Sequence, residues 1–202
     1  QSLIFKQSFH EKDSDDEKKL LGRFARDWAG LEFLSGLNIE PPITPQFYGG
    51  SEKHRFILLE DLGDIHFSLV DSLTGNDRKA AIVALTRYVQ RMGQLHTSAY
   101  RKTDEYNKIL QKLNPGAKVW QVSFNDLLLK TKATLKKIGI TSTLELDQEM
   151  LHAFNVMKES LNFTTYLHGD ICPDNVFDDP RNDIMHVIDF EWGFVGSALL
   201  DA

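Results

Sequence analysis

Two carboxylates at the ends of short apolar runs, with an asparagine between them, constrain this chain more than any other feature. Residues 166–191 read YLHGDICPDNVFDDPRNDIMHVIDFE. The apolar runs Phe163–Leu167 and Ile184–Ile188 lead into Asp170 and Asp189, and Asn175 follows Asp170 by five residues. Val176–Phe177 adds a third apolar step, and Pro180–Asp183 carries the residue types that favour turns. This spacing predicts a β-hairpin-like pair, with His168, Asp170 and Asn175 on one side and Asp189 and Glu191 on the other. A loop acid, an asparagine and a strand-end acid can surround one metal-bound phosphate. Phosphoryl transfer asks for that set: one carboxylate to orient the attacking hydroxyl, and an Asn with a second Asp to hold Mg²⁺.

The N-terminal stretch carries a second charged feature. Ser2–Lys6 is short, apolar and strand-like, with the lysine at its end. Acids at Asp13–Glu17 suit the start of a helix, where carboxylates complement the helix dipole. An amphipathic pattern then runs to about Ser35, with Gly36 as its stop. Its apolar stripe is Leu20, Phe24, Asp27, Leu31 and Leu34, spaced 4, 3, 4, 3, so an acid sits within an apolar face. A buried, unpaired carboxylate is costly, and Lys6 is the nearest candidate cation. The alternative is an Asp27 at the edge of the stripe, simply solvated.

Prolines at 41, 42 and 45 break the chain, and two strand-like runs follow, Gln46–Gly49 and Arg55–Glu60, joined by a turn. Asp64 is expected to cap a short helix through Leu73. Gly75-Asn76-Asp77 opens a long helix, Arg78–Tyr100, whose stripe Ile82, Leu85, Val89, Met92 and His96 is the expected core face, with His96 as a hydrogen-bonded core residue. Lys102–Ala117 is polar, contains Pro115-Gly116 and reads as a loop. Helical patterns resume at about Phe124–Ile138 and Leu144–Leu161, with Thr141–Thr143 as a capping region. Lys130, Lys132, Lys136 and Lys137 read as a solvated basic face, because no aromatic residues interleave with them as nucleic-acid binding would require.

Composition narrows the classes. The net charge of −6 argues against a nucleic-acid partner and is compatible with a cationic small substrate. A single cysteine, Cys172, excludes an internal disulfide framework and fits a reducing, cytoplasmic setting. No apolar run has the length of a membrane span, so no membrane partner is expected.

With HGD-x4-N at His168–Asn175 and IDFE at Ile188–Glu191, the chain resembles the aminoglycoside phosphotransferase and choline kinase-like branch of the protein-kinase-like fold. The resemblance implies an α+β, two-lobed architecture. A small antiparallel-sheet lobe over residues 1–60 would be hinged to a mainly helical lobe over 61–202. It implies ATP and Mg²⁺, Asp170 as the catalytic carboxylate, Asn175 and Asp189 as metal ligands, and His168 and Glu191 in support. It also implies that Lys6, braced by Asp27, meets the nucleotide phosphates, although the family places Glu where this chain has Asp27. The backbone of Glu60, Asp61 and Leu62 takes the place of the adenine-binding hinge. Asp201 falls where the family has a structural aspartate.

Two parts of the family pattern are missing. Nothing before Lys6 supplies a Gly-rich loop, and the sequence stops at Asp201-Ala202 where family members continue, so the chain reads as part of a longer one. The expected function is transfer of the ATP γ-phosphoryl group to a small-molecule hydroxyl. Alternatives are a catalytically silent nucleotide-binding scaffold and a metal-dependent phosphohydrolase.

Overall fold

The structure is a computed structural model that describes residues 2–9, 14–64, 67–117, 124–141, 143–159, 163–179 and 181–201. Its first sheet has the order β1–β3–β2, all antiparallel, from β1 (Leu3–Gln7), β2 (Phe47–Ser51) and β3 (Phe56–Glu60). Ile57 and Leu59 of β3 turn inward, with less buried residues on either side, as the period of two requires. Lys6 lies opposite Ile57 in this register. Gly50 is needed in β2 because a Cβ there would run into the backbone of Phe56.

Helix α1 (Ser14–Ser35) packs beneath this sheet. Asp15, Asp16 and Glu17 occupy its first turn, and it ends as the stripe predicts, with Gly36 N donating to Phe33 O at 3.1 Å. Phe24, Asp27, Leu31 and Leu34 are all buried along one face. Arg55, in the β2–β3 turn, is buried and pairs with Glu17 of α1 at 2.6 Å. Gly30 lets α1 approach the C-terminal part of the chain closely: a side chain there would strike the Tyr166 hydroxyl and Phe190.

After a short β4 (Phe67–Ser68) the chain is helical: α2 (Leu69–Thr74), α3 (Arg78–Ala99), α4 (Thr103–Leu113), α5 (Phe124–Lys137) and α6 (Leu144–Glu159). Three expectations need correction here. The cap of α2 is Ser68, whose Oγ accepts from Val70 N at 3.2 Å, and not Asp64, which β4 separates from the helix. In α3, which opens after Asp77 as expected and takes that residue as its cap, the buried face is Ala84, Arg91, Met92, Leu95 and Ala99, while Ile82, Leu85 and Val89 are exposed. This helix carries apolar side chains most of the way round, so hydrophobicity alone selects the wrong stripe. Two of its alanines, Ala84 and Ala99, lie on the packed side, where a small side chain allows close approach.

The third correction is that Lys102–Ala117 is not a loop: Thr103–Leu113 forms α4, with Tyr106 and Leu110 buried. Tyr106, Ile109, Leu110 and Leu113 recur at helical spacing inside a polar stretch, and that periodicity outweighs the composition.

The strand pairing of the C-terminal part also differs from expectation. A hairpin does form, but from β6 (Val176–Asp179) and β7 (Ile184–Val187), extended by β4. The run before His168 is β5 (Thr164–Leu167), and it pairs with β8 (Phe194–Ser197) instead. Both runs still deliver their acids to one place, because β5 and β7 end side by side at His168 and Ile188. A main core joins α1, Ile57 and Leu59 to Met92, Leu95, Tyr106, Leu110, Tyr166, Val187 and Phe190. Rings run through it: Phe33 contacts Tyr106 and Tyr166, Tyr166 contacts Phe190, and Phe190 contacts His168 at 4.8 Å.

Candidate active site

Lys6 reaches from β1 to two carboxylates at once. Its Nζ lies 2.8 Å from Asp27 Oδ2 and also bonds Asp189 Oδ1. Asp27 is 4% exposed, so the acid in the apolar stripe is a buried ion-pair partner and not a solvated edge residue. Its other oxygen accepts from Phe190 N at 3.0 Å, which ties α1 to the turn after Asp189. Burial acts to lower the Lys6 pKa, yet Asp27 and Asp189 outweigh it and hold the ammonium above its ordinary value. Burial pushes the Asp27 carboxyl up, against the pull of Lys6 and the Phe190 N–H.

Asp189 sits in the left-handed region, at φ 68°, immediately before the 3-10 turn Phe190–Trp192. Such a conformation is uncommon for a residue other than glycine, and functional sites are where it tends to be held. Asp27 and the neighbouring chain hold it here.

The loop after β5 is built from backbone bonds. His168 Nε2 lies 2.8 Å from the Ile188 carbonyl, which can only accept, so Nε2 carries the proton. Nδ1 then accepts from Asp170 N at 3.3 Å. Both ring nitrogens are engaged, and burial holds the His168 pKa below its usual value. Asp201 accepts from His168 N at 2.8 Å and Gly169 N at 3.1 Å, and faces His96 Nε2 at 3.2 Å. Gly169 has φ 80°, and a Cβ there would collide with the Trp192 carbonyl. Asn175 Nδ2 donates to the Asp170 carbonyl at 2.9 Å, which leaves its Oδ1 as the amide atom open to a cation.

Lys6, Asp27, Asn175 and Asp189 line one cavity of about 440 Å³, together with the Glu60–Gly63 stretch that follows β3. Apolar side chains of Leu31, Leu59, Phe177 and Ile188 form much of the remaining wall. Seven of the ten residues singled out from the sequence meet here: Lys6, Asp27, Glu60, Asp61, Leu62, Asn175 and Asp189. His168 lies behind the wall, and Asp170 stands exposed beside Asn175. Glu191 is not in this cavity but lines an adjoining cleft that shares Lys6 and Asp27 with it, and lies 3.8 Å from Arg23 Nε. Asp61 accepts from Gly63 N at 2.9 Å, and its carboxyl is held below the usual range by Ser2 and by this N–H.

The donor set fits Mg²⁺ in one particular way. Among the described residues no group of three or more His, Cys, Asp or Glu side chains gathers to hold a metal. Mg²⁺ is commonly bound through one or two carboxylates plus substrate phosphates and water, which asks no more than Asp189 and Asn175.

Comparison with known proteins fixes the fold and little more. No protein-family profile and no curated protein sequence matches this chain. Solved structures do match. Among them is the aminoglycoside phosphotransferase of the streptomycin–ATP–APH(2")-IIa ternary complex, at a TM-score of 0.51 and 13% identity, over 98% of this chain. The likeness is one of fold. This chain spans about three-fifths (62%) of the length of that one. The chain is a mixed α/β chain with small antiparallel sheets, similar in fold to that structure, and no helix among its described residues is long and apolar enough to cross a membrane.

Sequence reasoning missed two supports of the site. Arg26 Nε donates to the Glu191 carbonyl at 2.7 Å, and Gly30 admits Phe190 against α1. The signal for Gly30 was a glycine inside a strong helical pattern, which a close packing contact explains. Arg26 gave no signal beyond standing next to Asp27.

Proposed function

We propose that this chain is the nucleotide-binding and catalytic part of an ATP-dependent phosphotransferase acting on a small-molecule hydroxyl. The observation that carries this reading is the single cavity in which Lys6, Asp27, Asn175 and Asp189 face the backbone of Glu60–Leu62. The sheet, residues 1–60, and the helical remainder act as two lobes around it. Lys6 meets the α- and β-phosphates, and Asp27 keeps it charged and in place. The backbone of Glu60–Leu62 holds the adenine edge against Leu59 and Phe177. Asp189 and Asn175 are the residues that would hold Mg²⁺, and the chemistry it would supply is charge compensation on the phosphoryl oxygens. Asp170 takes up the proton of the attacking hydroxyl, and His168 fixes the backbone on which Asp170 stands. An overall acidic chain suits a cationic acceptor such as an aminoglycoside or a choline-like amine.

The test is ADP formation by the full-length gene product with ATP, Mg²⁺ and a panel of aminoglycosides, amino alcohols, sugars and amino-acid derivatives. Asp170→Asn should lower turnover by about 10²–10⁴-fold, the usual contribution of a positioned base, with nucleotide affinity nearly unchanged. A wild-type rate in Asp170→Asn removes that residue from the mechanism. Tight nucleotide binding without turnover on any acceptor would identify a silent scaffold instead.

A further inference from the structure

A second concave site lies on the outer face of α1, away from the cavity described above. It is a groove of about 520 Å³ between α1 and the Phe190–Trp192 turn, lined by Asp16, Lys18, Lys19, Arg23, Arg26 and Trp192 among others. Four cations and one carboxylate line it, an excess of three positive charges on a chain whose net charge is −6. Asp16 is engaged by Lys19 at 2.7 Å. Arg23 lies over the Trp192 ring, 4.7 Å from its centroid, and its nearest carboxylate, on Glu191, is 3.8 Å away.

Arg26 is in a more exposed electrostatic position still. Its Nε donates to a carbonyl, and its two terminal nitrogens have no partner among the described residues. Burial, with Arg23 adding to it, acts against its charge, although a guanidinium does not give up its proton. Two guanidinium forks thus border one groove; Glu191, 3.8 Å from Arg23, is the nearest carboxylate to that fork and partly offsets both charges, while the terminal nitrogens of Arg26 stay open toward the groove. Arginine forks suit the paired oxygens of a phosphate group.

We infer that this groove binds the phosphate group of a small phosphorylated molecule, with Arg23 and Arg26 as its principal ligands. The site is independent of the phosphotransfer reading, and it touches the same turn: Arg26 holds the carbonyl of Glu191, two residues after Asp189. A ligand bridging Arg23 and Arg26 therefore braces the segment that carries Asp189.

Gly22 supplies the test. Its only close neighbour is the Arg26 guanidinium, 3.5 Å from where a Cβ would stand, so a short side chain fits and an acid would reach the fork as a built-in anion. Gly22→Asp and Gly22→Asn are matched in shape and differ in charge. The probe is the Trp192 indole N–H resonance, assigned with Trp192→Phe and followed during titration with inorganic phosphate or glycerol 3-phosphate at constant ionic strength. The expected result is a saturable shift in wild type, in Lys6→Met and in Gly22→Asn, absent from Gly22→Asp, which should also melt higher than Gly22→Asn. Absence of a saturable shift in wild type overturns the proposal. Loss of the shift in Lys6→Met, which would place the phosphate in the nucleotide cavity, overturns it as well, and so does its persistence in Gly22→Asp. Binding only to vesicles containing phosphatidic acid would assign the groove to a lipid headgroup and reject a free ester. If Gly22→Asp does not fold, Arg23→Gln takes its place, with loss of the shift expected and its retention overturning the assignment.

Discussion

At the scale of single residues, one lysine serving two carboxylates sets the chemistry of the main cavity. Lys6 is part-exposed, Asp27 is buried, and Asp189 is intermediate, so the three differ in what their loss would cost. Asp27→Ala leaves Lys6 with Asp189 but strands the buried Phe190 N–H, and leaving one buried polar group unsatisfied costs about 1–3 kcal/mol. An ordinary surface acid would change stability by no more than about 0.5 kcal/mol. We expect chemical denaturation to give the larger figure. We also expect a double-mutant cycle on nucleotide affinity, with Lys6→Met and Asp27→Ala, to show coupling of about 0.5–3 kcal/mol, as contacting residues do. A coupling near zero would separate Asp27 from nucleotide binding and leave it a purely structural acid. Asp27 was legible in the sequence because an acid in an apolar stripe demands a partner. The second carboxylate on Lys6 was not, since nothing local in sequence joins residues 6 and 189.

At the scale of elements, the clearest lesson is α4. Its polar majority disguised a helix whose few apolar residues are correctly spaced. Leu110 is 4% exposed in the main core, and truncating a buried leucine costs about 2–5 kcal/mol. Leu110→Ala should show that loss on denaturation, whereas a residue in a solvated loop would show almost none. The pairing of β5 with β8 was illegible for a different reason: strand partners are chosen by the whole fold, and two short runs of similar character compete for each place. The loop between β5 and β6 drew attention in the sequence because His168, Asp170 and Asn175 stand at fixed spacing, and the structure joins Asn175 Nδ2 to the Asp170 carbonyl. That loop also has a pH signature. Burial lowers the His168 pKa in the folded chain, so below about 6.5, the unfolded value, the unfolded chain binds a proton that the folded chain refuses. The stability that His168 contributes is therefore complete above pH 6.5 and declines as pH falls through that value. Melting temperatures taken from pH 7.5 to 5.5 should fall less steeply in His168→Asn than in wild type, and parallel slopes would show that folding leaves the proton affinity of His168 unchanged.

At the scale of the whole molecule, the net charge is a blunt signal. A chain at −6 can still gather its cations on one helix face, and only the fold reveals which ones share a groove. The mixed α/β class was readable from short apolar runs set among long helical patterns, and the likeness to the matched structure, at 13% identity, is one of fold. One feature of the core has a further outcome. Of five tyrosines, Tyr106 and Tyr166 lie buried in the run of rings that ends at His168, and burial raises both phenols well above 10. Alkali can therefore ionise these two only by opening the chain, and above about pH 10 each unfolded molecule gives up protons that the folded one keeps. In a spectrophotometric titration at 295 nm, Tyr106 and Tyr166 should turn to phenolate in a slow and cooperative step whose rate is that of unfolding. The aromatic floor of the loop after β5 is thus a built-in optical clock for the opening of the molecule, and Tyr166→Phe should remove about half of its amplitude.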